Sequence, residues 1–151
     1  MASSSKHEWQ KNAPQGEDLV IGGATFAAIF SPVGHFKKLK AWQHARTLVL
    51  LSKPAIERLP VSERDGLAGQ WQRASYSVAL NIAEGASRRG SKYFRRHLDI
   101  ARASLDEIEG ILDLVVSLGY FRAEELAKIE AIRDECAKTV FGLIRKLAAA
   151  S

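Results

Sequence analysis

Gln70–Arg89, reading QWQRASYSVALNIAEGASRR, decides the fold of this 151-residue chain. From Gly66 to Ala83 the run is helix-like, yet its only charge is Arg73. A helix on the outside of a monomer shows water a charged face, so one with a single charge is expected to be covered on most sides. The stretch therefore reads as the central helix of a bundle that also touches other subunits. Placed at about 100° per residue, Gln70, Arg73, Ser77, Asn81 and Glu84 fall on one narrow polar stripe. Leu67, Trp71, Ala74, Val78 and Ile82 form an apolar stripe beside it. Two adjoining stripes imply two different neighbours.

Working outward, a first helix is predicted from about Phe36 to Ser52, with Phe36, Leu39, Trp42, Ala45 and Val49 at helical spacing. Pro54 disfavours helical geometry at Lys53, so this helix is expected to kink or stop there. Ser62 reads as an N-cap with Asp65 three positions on. The second helix runs to about Glu84, and Gly85 suits the left-handed residue that ends a helix. A third begins near Ser91, with Phe94, Leu98, Ala101, Leu105, Ile108, Leu112, Val115 and Val116 on one side, and Gly119 closes it. The last starts after Tyr120. Its first turn holds Glu124 and Glu125 and its last Arg145 and Lys146, in the order the helix dipole favours. Its core face is Leu126, Ile129, Cys136, Val140, Leu143 and Leu147, with Arg133 at the margin. Short connections between long helices make neighbours antiparallel, hence an all-α, up-down-up-down four-helix bundle. That bundle is assigned to residues 35–151. Residues 1–34 form an N-terminal extension, a polar tail to Asp18 followed by an apolar arm, Leu19 to Phe30. No strand pattern or internal repeat competes with the helices.

Hydrophobic content of 46% and a charged fraction of 26% belong to an ordinary soluble globular domain. The net charge of +5 permits an acidic partner such as nucleic acid without requiring one. The arm is far shorter than the roughly 20 apolar residues that span a bilayer, and it follows acidic residues where a signal peptide has basic ones. No membrane association is expected, and the cytoplasm is the expected compartment. The one cysteine, Cys136, rules out an intrachain disulfide and reads as a small buried core residue. His7, His35, His44 and His97 are scattered, and no metal-ligand, phosphate-loop or dinucleotide motif is present. Glu84, Asp106, Glu107 and Glu109 read as solvated or ion-paired carboxylates. No catalytic group, metal or cofactor is expected, so the chain reads as non-enzymatic.

The run Gln70, Arg73-Ala74, Ser77, Asn81-Ile82-Ala83-Glu84-Gly85 and Arg88 resembles the signature of the four-helix-bundle proteins of bacterial 23S rRNA intervening sequences. That family is similar in turn to the accessory variability proteins of diversity-generating retroelements. Pro60, Glu63 and Gly66-Leu67 match ahead of the run; Phe94, Leu98, Ile100-Ala101, Ser104-Leu105, Glu107 and Leu118-Gly119-Tyr120 match after it. The resemblance covers roughly Phe36 to Leu147 and departs at Ala103, where glycine is common. It implies an up-and-down bundle, a ring-shaped homopentamer and nucleic-acid binding in some members, with no enzymatic activity to carry over.

Charge on the third helix is unevenly spread. Arg88, Arg89, Lys92, Arg95, Arg96 and Arg102 crowd its start, offset by Asp99, while Asp106, Glu107, Glu109 and Asp113 fill its second half. The basic end thus sits on the positive pole of the helix dipole, which is unfavourable. A phosphate-binding surface accounts for it, since arginines and N-terminal amides both attract phosphate oxygens. The alternatives are a solvated face, or pairing with acids of another helix or subunit; the chain would then be a protein-interaction scaffold without a nucleic-acid role, its partner docking on the ring. Trp9, Trp42 and Trp71 do not alternate with the basic cluster, so base stacking lacks support and RNA or DNA would be held electrostatically. Of the polar stripe on the second helix, Arg73 and Asn81 could line a channel or grip a ligand. The favoured reading places Gln70, Arg73, Ser77 and Glu84 in hydrogen bonds across a subunit seam, with Leu80 at the contact.

Overall fold

A computed structural model describes residues 20–21, 24–25, 35–87 and 90–150. Four helices account for most of them: α1 (Lys40–Glu57), α2 (Leu67–Ser87), α3 (Ser91–Ser117) and α4 (Ala123–Ala149). The only strands among the described residues are β1 (Val20–Ile21) and β2 (Ala24–Thr25), paired antiparallel within the N-terminal extension. The rest of that extension, like Arg88 and Arg89, lies outside the described residues.

The helices pack as a four-helix bundle in which each meets its sequence neighbours, and α1 also meets α4. Its centre is filled by Trp71, Phe94, Leu39, Leu48, Ile82, Leu98, Leu105, Ile108, Leu112, Leu126 and Leu147, all fully buried. The apolar stripes expected on α3 and α4 are the ones that face inward. On α1 the inward face is turned toward Ala41, Ala45, Leu48, Ser52 and Ala55. Trp42 and Val49 are only half-buried, and Trp42 meets Phe36 edge-on at 4.8 Å between ring centroids.

Four local expectations are corrected. α1 starts at Lys40, because Leu39 takes an extended backbone to bury its side chain, and His35–Lys38 ahead of it form a 3-10 turn. Of a kink or a stop at Pro54, the stop does not occur: the helix runs on to Glu57. Pro54 cannot donate to the Leu50 carbonyl, but both residues lie on the exposed side, where water can satisfy the freed oxygen. Ser62 does not cap α2. Val61–Glu63 form a 3-10 turn instead, and it is the Glu63 carboxylate that accepts the Leu67 N–H at 3.1 Å. Gly85 does not end α2 either. The helix continues to Ser87, and positive φ is confined to Gly90 (93°) and Gly119 (79°) among the described residues. Gly119 does close α3: its N–H bonds the Val116 carbonyl and that of Tyr120 bonds Val115, the paired arrangement of a glycine-terminated helix.

α2 is one corner of the bundle rather than its centre. It packs between α1 and α3, and its outward face carries Tyr76 and Leu80, the latter 62% exposed. The described residues of one chain therefore do not cover this nearly uncharged helix.

Candidate nucleic-acid interface

The basic start of α3 is positioned by its contact with α2. Gly85 is buried there, and a Cβ at that position would come within 2.7 Å of the His97 Cβ and 2.9 Å of a Phe94 ring carbon. A hydrogen there lets the two backbones approach. Phe94 fills the core below and fixes which side of α3 faces solvent.

A polar relay locks the register of the two helices. Ser104 Oγ donates to Ser77 Oγ at 2.8 Å, and Asn81 Nδ2 donates to the Ser77 carbonyl (2.9 Å) and to Ser77 Oγ (3.1 Å). With its amide nitrogen so used, Asn81 turns Oδ1 toward His97 Nδ1, 3.0 Å away. That nitrogen must then carry the ring hydrogen. His97 Nε2 is left facing Glu84 at 3.9 Å. Pairing 77 with 104 and 81 with 97 makes α2 and α3 antiparallel.

The predicted polar stripe thus divides. Ser77 and Asn81 are half-buried and hydrogen-bonded within the chain, and Glu84 stands beside His97. Gln70 and Arg73 are exposed, as is Leu80. His97 and Ser104 complete the relay without any motif to announce them in the sequence. Their partners lie 16 and 27 residues away, beyond any local motif.

Of the basic residues, Lys92, Arg95, Arg96 and Arg102 are all exposed on α3. None forms a salt bridge among the described residues. Acids farther along α3 are not turned back toward them; Glu109 instead pairs with Arg133 of α4 at 3.0 Å. Arg133 also donates to the Leu105 carbonyl at 3.3 Å, which ties its half-buried side chain across α3 and α4.

The aromatic content of this surface differs from expectation. Trp42 and Trp71 belong to the core or its edge, but Tyr93, between Lys92 and Phe94 in sequence, is 56% exposed. Cys136 is an interior thiol that donates to the Ala41 carbonyl at 3.7 Å. Burial pushes it up to about 12, the nearby Arg133 opposing only in part.

A family model described as 23S rRNA-intervening sequence protein matches residues 37–142. The chain belongs to that family. Among curated proteins none matches it. The match takes in the α2–α3 relay and the basic start of α3, so both belong to the part of the chain that is a 23S rRNA-intervening sequence protein. No described helix is long and apolar enough to cross a membrane.

Proposed function

We propose that this chain is a non-enzymatic, cytoplasmic protein that binds RNA or DNA through the start of α3, and that it acts as a homo-oligomer. The observation that carries the reading is the set Lys92, Arg95, Arg96 and Arg102: four exposed cations without an ion-pair partner among the described residues. Lys92 stands in the first turn, at the positive end of the helix dipole, with the like charges of Arg95 and Arg96 three and four residues on; this destabilises the free protein slightly, and an anionic ligand relieves it. The unpaired state of these cations argues against the view that they serve an internal salt-bridge network.

Assembly is supported by Tyr76, Leu80 and Ile100, exposed on α2 and α3. Register puts Leu80 and Ile100 at the same level of the antiparallel pair, so they can contribute to one apolar patch. An up-down-up-down order of the helices and a ring of five subunits complete the proposal, the latter from family resemblance. Repetition of the basic surface around a ring would let weak contacts add.

Replacing Arg95 and Arg96 together by Glu tests it. Binding of RNA, single-stranded DNA and duplex DNA should weaken alike, and the dependence on salt should flatten as fewer counterions are released. Unchanged binding, or a parent protein that binds none of the three, leaves a protein-interaction scaffold as the better reading.

A further inference from the structure

We propose that the basic face of α3 takes single-stranded nucleic acid, with an unpaired base stacked on the Tyr93 ring and the flanking phosphates held by Lys92 and Arg96. The inference rests on the nucleic-acid reading above and specifies its ligand.

Tyr93 lies in the first turn of α3 with more than half its surface in solvent. Among the described residues its ring has no aromatic neighbour, no cation over its face and no hydrogen bond at its hydroxyl. No ring stack, cation or hydrogen bond with a described residue therefore holds it in place. An isolated exposed tyrosine would need no explanation. This one stands among cations.

Tyr93 and Arg96 are three residues apart on the helix, which places their Cβ atoms about 5–6 Å from each other. Lys92 and Arg96 are four apart, so two like charges face each other, and neither forms an ion pair with a described carboxylate. Cations that follow a phosphate backbone, with an aromatic ring beside them on which a base can stack, are the footprint of single-strand binding. In a duplex the base faces are already stacked on one another, and the ring gains little there. Every base has a π-face, so the preference expected is for unpaired over paired nucleic acid, not for a sequence. A second copy of the chain seated on Tyr93 would have to bring carboxylates to these cations, whereas one nucleic-acid strand supplies both the negative charge and the flat apolar face.

The test compares the full-length parent, Tyr93→Ala and Tyr93→Phe by fluorescence anisotropy. The probes are oligouridylate and oligothymidylate of about twelve nucleotides, within the usual site size, and a duplex of the same length. Tyr93→Ala should weaken single-strand binding about tenfold or more, the lower part of the range for losing one stacked base. Tyr93→Phe should bind as the parent does. Neither change removes a charge, so salt dependence and duplex binding should hold. Equal weakening of single strand and duplex overturns the inference, as does unchanged single-strand binding by Tyr93→Ala. A Tyr93→Ala variant of altered mass in light scattering also overturns it, because the ring then serves contact between copies. A parent that binds no probe removes the nucleic-acid reading and this inference together; a parent that binds while Tyr93→Ala binds equally well removes this inference alone.

Discussion

Tyr120 donates its hydroxyl to Glu63 at 2.9 Å, and the second Glu63 oxygen accepts the Leu67 N–H at 3.1 Å. One carboxylate thus fastens the entry to α2 to the turn between α3 and α4. Glu63→Ala should lower stability by about 1–2 kcal/mol, the usual size for two such bonds partly replaced by water. Tyr120→Phe should cost less, since the Leu67 contact survives. The hydrogen bond to Glu63 is the main cause holding the Tyr120 phenol above its ordinary 10.0, with burial adding to it. The neutral phenol is therefore the form the fold favours, and its contribution is complete below pH 10 and fades as pH rises above it. Urea denaturation at neutral pH and at pH 11 checks both statements: the gap between parent and Tyr120→Phe should narrow at the higher pH.

Gly85→Ala should destabilise the bundle despite the better helix propensity of alanine. Propensity favours the change by about 1 kcal/mol, but the new methyl group meets the His97 Cβ and Phe94 ring at under 3 Å. The His97 Cβ cannot swing away without moving α3, and overpacking of this kind costs typically 1–3 kcal/mol. A net loss of about 1 kcal/mol in urea denaturation is expected; a variant more stable than the parent would show that the helices separate freely.

Leu80→Glu should separate subunits without unfolding them. The side chain is largely exposed in the chain, so a charge there is expected to alter the stability of a single bundle by within about 0.5 kcal/mol. Light scattering at micromolar concentration should show an oligomer for the parent and a smaller species for the variant. A monomeric parent rejects the assembly. Arg73→Ala separates the two readings of the outer stripe: loss of several kcal/mol places Arg73 in a buried subunit seam, and an unchanged melting temperature leaves it facing solvent.

Cys136 should resist alkylation in the native protein at pH 8 and react at once in urea. Its thiol is raised from 9.0 to about 12 by burial. Between those values the unfolded chain has lost the proton that the folded one keeps, so stability falls with rising pH by roughly 1.4 kcal/mol per unit from this group. Cys136→Ala should flatten stability against pH across that window relative to the parent. Parallel curves would show that the thiol ionises without unfolding.

The inward faces of α3 and α4 are legible because each keeps a helical apolar period, unbroken from Phe94 to Val115 and, from Leu126 to Leu147, interrupted only by Arg133 at its margin. Helix ends are less so. Gly85 looks like a stop because a glycine set aside for close packing and one set aside for positive φ are the same letter; Gly119, with its φ of 79°, is the one that terminates. Pro54 looks like a break because the cost of its missing donor depends on whether the orphaned carbonyl faces water, which only packing decides. At the candidate interface the basic residues are visible as a run. The relay is not, since Ser77, Asn81, His97 and Ser104 become neighbours only when α2 folds back on α3. Tyr93 is not legible for a simpler reason: exposure cannot be read from a single letter, and a tyrosine beside a core phenylalanine looks like more core.

The relay between α2 and α3 also has a mechanical consequence. Packed helices can slide along one another with little penalty when the surfaces between them are uniformly apolar, and small shear of this kind is a common mode of rearrangement. Here a slide by one turn, about 5.4 Å, would carry Ser104 and His97 past Ser77 and Asn81, breaking the Ser104–Ser77 bond and leaving the half-buried His97 Nδ1 without its acceptor. The methyl-free notch at Gly85 would meet a different stretch of α3. The pair therefore has one low-energy setting, and the residues on the outer side of α3 are presented as a fixed pattern, with spacing set by a rigid frame instead of by the ligand.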